Sequence, residues 1–228
     1  MIILGLETST AVCSVGLFRE GMSAIERSLR ESHIHSEKLL TLVKEVMDEA
    51  GIPLKELDAI AISIGPGSFT GLRIGLSTAK GLSFALGKPI VSVATFEAIA
   101  AAGYKRNGGF ESIVVLIDAK KEEWYLGRYR LENGIVVPDG PVHITSLGEV
   151  SNALRGVQPV LVLTDKVDEV KRSLDNATTI EDVHEYCRGD EVAAVAHPRV
   201  IKHDVADASA LEPVYLKDFV VRSASSGS

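Results

Sequence analysis

The stretch that decides the fold covers residues 64–93 and reads IGPGSFTGLRIGLSTAKGLSFALGKPIVSV. An apolar run at 59–64 predicts a buried strand, the Gly-Pro-Gly break after it predicts a sharp turn, and residues 72–86 have the small and apolar composition of a buried helix. Free amides at the start of such a helix can bind a phosphate. Because the Gly-Lys-Ser/Thr sequence of a P-loop does not occur here, a tight strand-to-helix turn is favoured over a phosphate site.

Small residues recur at every fourth position of this helix, at Gly71, Gly75, Ala79 and Ser83. Residues with this spacing share one helix face, and each glycine costs about 1 kcal/mol of helix stability relative to alanine. A helix that carries such a ridge of small residues usually has another backbone packed closely against it. The neighbour is either another part of this chain or another protein, and the pattern does not distinguish the two.

Length and composition indicate one compact, soluble protein. A length of 228 residues is enough for one unit of two lobes, and no apolar stretch reaches the ~18 residues of a membrane helix. The first ten residues lack the basic segment of a signal peptide, which predicts a cytoplasmic protein with no membrane partner. The two cysteines, Cys13 and Cys187, are predicted to be buried apolar groups. A net charge of −7 opposes direct binding of nucleic acid.

A meander of three strands occurs twice in the sequence. The first copy starts with an apolar strand that ends in Glu7, and the second starts with an apolar strand that ends in Asp118, 111 residues later. The turns that follow the second strands, at Gly21 and Gly134, are 113 residues apart, so the copies align with a two-residue insertion. This repeat predicts a duplicated α/β protein.

The repeat divides the chain into a first lobe, residues 1–106, and a shortened second lobe, residues 107–222. Residues 223–228, SASSGS, are of low complexity and are predicted to be disordered. Thr95 is the predicted cap of the helix that follows it. Helices are predicted at 36–50, 72–86, 96–104, 146–155, 167–174 and 191–196.

Candidate ligand-binding residues lie at the ends of the two equivalent strands. Glu7 and Asp118 occupy the positions at which a two-lobed nucleotide-binding fold would hold a metal-phosphate group, although carboxylates at strand ends are also common surface caps. With the adjacent Thr8 and the loop glycines Gly65 and Gly67, they make up the predicted nucleotide site.

Neither catalytic residues nor metal ligands are predicted. His33 and His35 are two residues apart, which is typical of a loop that precedes a helix rather than of a helical zinc site. The sequence contains no H-E-x-x-H motif and no G-x-S-x-G elbow. Metal-dependent hydrolysis and nucleophilic catalysis therefore have no positive support in the sequence.

Motifs along the whole chain resemble those of the bacterial TsaB family, also called YeaZ. The most specific motif is GPGSFTGLRIG at 65–75, and the opening ILGLETST also matches, although it has Glu7 where many relatives have Asp in I-D-T-S. Further matches are HSEKLL at 35–40, DAKKEEWYLGRY at 118–129 and EPVYLKDF at 212–219. The resemblance implies an actin-like, Hsp70-like and sugar-kinase-like α/β fold with a reduced second lobe.

The resemblance also implies a function that composition does not show. TsaB proteins are noncatalytic subunits of the bacterial machinery that makes N6-threonylcarbamoyladenosine (t6A) at position 37 of tRNA. They pair with the related subunit TsaD, which holds the metal and performs the transfer, and the ATPase TsaE joins them. A homodimer of the chain alone is also expected to be possible. No cofactor is required of such a subunit, although ATP or ADP is possible in the complex.

On this interpretation the helices at 36–50 and 72–86 form the surface that binds and activates TsaD. The predicted interface residues are Leu39, Leu40, Val43, Met47, Gly71, Gly75, Ala79 and Ser83. Two other functions stay open. One is an ATP-dependent phosphotransferase or ATPase that uses the predicted nucleotide site, and the other is a glycoprotease-like metallopeptidase. The noncatalytic subunit is favoured because the sequence has neither a second complete phosphate loop nor an H-x-x-x-H pair.

Overall fold

The computed structural model describes residues 1–31, 34–155, 159–174 and 178–216, so the predicted tail at 223–228 and His33 lie outside the described residues. The first half starts with the meander β1 (Ile2–Glu7), β2 (Val12–Arg19) and β3 (Ile25–Arg30). It continues with α1 (His35–Ala50), β4 (Ala59–Ser63), α2 (Phe69–Leu86), β5 (Ile90–Val93) and α3 (Thr95–Asn107).

The second half repeats this order with one additional short strand and with shorter first and second helices. Its strands are β6 (Ser112–Asp118), β7 (Trp124–Glu132), β8 (Ile135–Pro138), β9 (His143–Thr145), β10 (Val160–Thr164) and β11 (Thr179–Asp182). Its helices are α4 (Leu147–Leu154), α5 (Val167–Ser173) and α6 (Gly189–Ile201). Within the described ranges, no helix combines the length and apolar composition needed to cross a bilayer.

The two sheets have the same strand order. The first runs β3-β2-β1-β4-β5 and the second runs β8-β7-β6-β10-β11, with β9 added beside β7. In both sheets the meander strands pair antiparallel and the two later strands pair parallel. The predicted repeat of the meander and the α/β fold class are therefore confirmed. The lobe boundaries 1–106 and 107–222 stay a prediction.

Each half contributes one helix to the sheet of the other half. Helices α1 and α2 cover one face of the first sheet, and the opposite face is covered by α6, which comes from the end of the chain. Conversely, α3 from the first half packs on the second sheet, whose other face carries α4 and α5. Because α3 and α6 also pack against each other, they join the two halves.

The contact between α6 and the first sheet depends on glycine. A Cβ atom on Gly5 of β1 would lie 2.0 Å from Gly189 O, and one on Gly16 of β2 would lie 2.0 Å from Asp190 N. Both distances are far below van der Waals contact, so only glycine allows α6 to start directly against these strands. Ser14 Oγ accepts a hydrogen bond from Gly189 N at 2.9 Å and holds the helix start in place.

The starts of α2 and α3 differ from the sequence prediction for reasons that the hydrogen bonds show. Helix α2 begins at Phe69 instead of 72, because Ser68 caps it by accepting a hydrogen bond from Gly71 N. Thr95 was predicted to cap α3 but is its first residue. Its hydroxyl accepts a hydrogen bond from Gly65 N at 3.1 Å, while its own N–H donates to Gly65 O at 3.0 Å. Thr95 therefore holds the Gly-Pro-Gly turn rather than the helix end.

Candidate functional site

Glu7 of the predicted nucleotide site points into the protein interior. Its side chain is 0% exposed, and Oε1 accepts hydrogen bonds from Ser9 N and Ser9 Oγ. Burial raises the pKa of the Glu7 carboxyl, and the bonds from Ser9 only partly oppose this effect. Ser63 lies near the carboxyl, although no hydrogen bond of normal geometry joins the two side chains. A carboxyl in this position stabilises the end of β1 and has no direct path to a ligand.

Asp118, the equivalent residue of the second half, is tied to lysines. Its carboxylate accepts hydrogen bonds from Lys120 N and Lys120 Nζ, both at 2.7 Å, and Lys166 Nζ lies 3.9 Å away. Partial burial acts to raise the pKa of Asp118, but the hydrogen bonds and charges of the lysines outweigh it and lower the pKa. The Asp118 N–H in turn donates to Asp165 Oδ1 at 2.9 Å.

The glycine ridge of α2 faces the chain itself. A Cβ atom on Gly71 would lie 2.0 Å from Thr8 O, and one on Gly75 would lie 2.1 Å from Thr8 Oγ1. Ala79 is fully buried, and Ser83 Oγ donates to Lys88 O at 2.6 Å. The prediction that Gly71, Gly75 and Ala79 contact a partner is therefore wrong, because the close neighbour is the turn after β1.

The remaining loop residues of the predicted nucleotide site have the same structural role. A Cβ atom on Gly67 would lie 2.3 Å from Ser9 O, which also accepts a hydrogen bond from Ser68 N. Gly65 has a φ of +114°, and a Cβ there would lie 2.6 Å from Val214 O. The interpretation of this stretch as a tight strand-to-helix turn is supported, because its glycines are required by close packing.

Three of the four interface residues predicted on α1 are core residues. Leu39, Val43 and Met47 are buried against the first sheet, so they cannot contact a partner while the fold is intact. Leu40 differs from them because it is 60% exposed. The correction follows from the width of the apolar surface of α1, since only part of it fits against the sheet.

The outward face of α2 is small and apolar, with one arginine. Phe84 is 93% exposed, and Arg73, Ser77 and Gly81 are exposed as well. At 100° per residue, Arg73, Ser77 and Phe84 lie within about 40° of one another around the helix axis. Sequence reasoning missed Phe84 and Arg73. Helical spacing alone places Phe84 nearly opposite the glycine ridge. A ridge that packs inward therefore implies an exposed Phe84, whereas a ridge that faces a partner implies a buried one.

A cleft with a volume of about 550 Å³ lies between the two halves. Its walls come from the turn after β1, the first turns of α1 and α2, and the ends of β6 and β10. The lining residues are Thr10, Ala11, Glu31, His35, Ser36, Ser68, Thr70, Gly71, Ile74, Ile117, Asp165, Val183 and His184. Neither Glu7 nor Asp118 is among them, contrary to the expectation that both face one cleft.

The charges of the cleft are those of carboxylates and histidines. Among the lining residues that the structure describes there is no lysine or arginine, whereas Glu31 and Asp165 are present. His35 Nε2 lies 3.2 Å from Val12 O, and His184 Nδ1 lies 2.6 Å from Asp182 Oδ1, so each ring is held by one nitrogen. Across the described ranges, no three His, Cys, Asp or Glu side chains are grouped closely enough to hold a metal ion.

Comparison with known proteins agrees with this architecture. The family model for TsaD, tRNA N6-adenosine threonylcarbamoyltransferase, matches residues 30–154, which is more than half of the chain. The tRNA threonylcarbamoyladenosine biosynthesis protein TsaB of Escherichia coli is 36% identical over 138 residues. The match covers 59% of this chain and 58% of that protein, so the chain spans less than two thirds of this relative.

Solved structures extend the similarity to nearly the full length. YeaZ from Pseudomonas aeruginosa superposes with a TM-score of 0.83 at 29% identity, covering 94% of this chain and 99% of that one. An activator of a 2-hydroxyisocaproyl-CoA dehydratase from Clostridium difficile superposes with a TM-score of 0.54 at 7% identity, over 94% of this chain and 100% of the other. At that identity the second likeness concerns the fold alone.

The duplicated sheets and the cleft between them define the class of actin-like, Hsp70-like and sugar-kinase-like proteins. Within that class, the chain belongs to the TsaB (YeaZ) family.

Proposed function

We propose that this protein is a noncatalytic subunit of the system that makes t6A in bacterial tRNA, and that it binds and activates a TsaD-type transferase. The proposal follows the names of its TsaB relatives and the match to the TsaD family model. The contact surface is the outward face of α1 and α2, which consists of Leu40, Arg73, Ser77, Gly81 and Phe84. We refer to these five residues as the outer face.

The observation that carries the proposal is the exposure of Phe84. Burying a phenylalanine side chain is worth about 1.5–3 kcal/mol, so a 93% exposed Phe84 has much to gain from a partner. Ser77 and Gly81 beside it are small, and small residues allow a partner helix to approach closely. The other large apolar side chain of the outer face, Leu40, belongs to α1, which packs next to α2.

The interior position of Glu7 supports a noncatalytic role. A carboxyl that is fully buried and held by Ser9 is poorly placed to bind a metal-phosphate group, and Asp118 is occupied by Lys120. In the described part of the chain, the cleft walls lack the lysine or arginine that phosphates favour. The rival function, an ATPase or phosphotransferase, rests on the size of the cleft. It predicts steady ATP turnover by the purified chain, of order 1 per second or more.

Further parts of the proposal follow from the family resemblance. TsaE is an additional partner in this proposal, no cofactor is required of the subunit although ATP or ADP can be present in the complex, and the chain alone can form a homodimer. The net charge of −7 supports indirect contact with tRNA through the partner. Location in the cytoplasm stays a prediction.

The test is a pair of charge insertions at matched exposed positions. Leu40→Asp and Phe84→Asp should leave the melting temperature nearly unchanged and weaken binding to purified TsaD by more than about tenfold, because each puts a charge into an apolar contact. Ile201→Asp is the control, since Ile201 is also a helical aliphatic residue and is 57% exposed. Calorimetry gives the affinity, and a t6A assay with TsaD gives the activity. Full affinity in both outer-face variants would refute the proposal.

A further inference from the structure

Arg73 in the first turns of α2 lies over the ring of Phe69 and beside the ring of Tyr215. Its guanidinium carbon lies 3.7 Å from the centre of the Phe69 ring and 6.0 Å from the centre of the Tyr215 ring. Arg73 Nε donates a hydrogen bond to Tyr215 Oη at 3.1 Å, and the two ring centres are 5.0 Å apart. An exposed arginine normally samples many rotamers, and these contacts favour the orientation seen here.

The end of the chain supplies Tyr215. Ala206 N donates to Ile90 O at 2.8 Å, which attaches residues 206–215 to the edge strand β5. Leu211 packs against the core, and Val214 N then donates to Ile64 O at 2.7 Å beside the Gly-Pro-Gly turn. The segment therefore crosses the first lobe and places Tyr215 over Phe69.

The guanidinium of Arg73 has further N–H groups available for hydrogen bonds. Nε is used by Tyr215, whereas Nη1 and Nη2 carry four N–H groups. Among the residues that the structure describes, none contributes a carboxylate to Arg73. A planar guanidinium with two nitrogen groups available is suited to bidentate binding of a carboxylate or a phosphate. Its immobilisation lowers the entropy lost when such an anion binds.

Arg73 belongs to the same surface as Phe84. The two residues are eleven positions apart, which is close to three full turns, so they share a helix side at an axial separation of about 16 Å. Arginine and aromatic side chains are the residue types that dominate binding energy at protein interfaces. The overall charge of −7 disfavours nucleic acid as the ligand of this single cation.

We propose that Arg73, fixed by Phe69 and Tyr215, is the binding site for an aspartate or glutamate side chain of the protein that docks on the outer face. This inference rests on the proposed function, because it names the chemistry of the same interface. Tyr215 acts as a positioning residue, since it orients Arg73 without contacting the partner's carboxylate. The C-terminal segment is thereby part of the recognition device.

The experiment measures binding of purified TsaD by calorimetry at low and high salt, using full-length variants. Arg73→Ala and Arg73→Lys should both weaken binding by about tenfold, because lysine cannot reproduce the bidentate fork. Tyr215→Phe keeps the ring but removes the hydrogen bond to Nε, and should weaken binding by a smaller factor, about two- to fivefold. Arg172→Ala, an exposed arginine on α5 of the second half, is the matched control and should have no effect.

Several outcomes separate this inference from the proposed function. If Phe84→Asp abolishes binding while Arg73→Ala binds with full affinity, the carboxylate site is refuted and the interface stands. If Arg73→Lys binds as well as the wild type, the bidentate geometry is refuted. If Arg73→Ala lowers affinity for tRNA but not for TsaD, the ligand is a phosphate of RNA and the inference is overturned. Rescue of Arg73→Glu by an acidic-to-arginine change on TsaD would establish the contact.

Discussion

Replacing Gly71 with alanine tests whether α2 is seated on the turn after β1. The new Cβ would lie 2.0 Å from Thr8 O, whereas ordinary contact begins at 3.4 Å, so one backbone must move by about 1.4 Å. Thr8 cannot move easily, because it is fully buried and the next residue is hydrogen-bonded to Glu7 and Ser68. Overpacking of this kind costs about 1–3 kcal/mol, and the backbone contact puts Gly71→Ala at the upper end.

The matched control lies in the same helix. A Cβ on Gly81 would meet no atom within 4 Å, so Gly81→Ala should gain up to about 1 kcal/mol of stability from helix propensity. Because alanine also gains up to about 1 kcal/mol of helix propensity at position 71, we expect Gly71→Ala to lose about 2 kcal/mol net and Gly81→Ala to gain up to about 1 kcal/mol. For a chain of this size these changes correspond to a fall of about 4–8 °C and a rise of about 2–4 °C in melting temperature.

Urea denaturation of the two variants measures the change in the free energy of unfolding, and calorimetry measures the change in melting temperature. Equal stability of Gly71→Ala and the wild type would mean that α2 does not rest on the Thr8 turn, and the argument for an inward glycine ridge would fail. Gly81→Ala has a second use because Gly81 belongs to the outer face. The same methyl group that raises the melting temperature should weaken binding to TsaD, since it separates the helices in the proposed contact.

Two further predictions concern the interior. Burial raises the pKa of Glu7 above its usual value of 4.5, so the native state holds this proton more tightly than the unfolded state. The protonated carboxyl therefore contributes to stability below pH 4.5, and this contribution is lost as the pH rises through the raised pKa. Glu7→Gln keeps an oxygen acceptor for Ser9 and should therefore raise the melting temperature at pH 8 more than at pH 4.5; an equal effect at both would contradict the argument. Arg199 donates to both Glu97 oxygens, at 2.7 and 2.6 Å, and joins α6 to α3. Arg199→Ala should cost about 2 kcal/mol in urea denaturation, against less than about 1 kcal/mol for the exposed Arg130→Ala, and equal losses would refute it.

The repeat could be predicted from the sequence because it depends on local signals. Apolar runs ending in Glu7 and Asp118, with glycine turns at similar offsets, are sufficient to identify two meanders. The exchange of α3 and α6 between the sheets could not be predicted, because local periodicity shows which face of a helix is buried but not which sheet buries it. The strands β9 and β11 are only three and four residues long, and they were missed for lack of any pattern.

The candidate site was harder to predict because a ridge of small residues has two physical meanings. The spacing of Gly71 and Gly75 correctly requires a close neighbour, but both an internal turn and a partner helix meet that requirement. The structure decides for Thr8, and the opposite side of α2 then becomes the exposed one. The residue that identifies this side is Phe84, which is more exposed than any other large apolar side chain among the residues that the structure describes.

The inward seat of α2 also explains why its outward side can serve as a recognition surface. The Gly65 turn is tied to Thr95 by two hydrogen bonds and to the C-terminal segment through Ile64 and Val214, so the start of the helix is fixed from two directions. Interactions made by a rigid element lose little conformational entropy on binding. A change in the turn should therefore alter partner affinity even where it contacts no partner, because it displaces Arg73 and Phe84 together. Thr95→Val removes one of these hydrogen bonds without altering any outer-face residue, and weaker binding of TsaD by this variant distinguishes a rigid support from a passive loop.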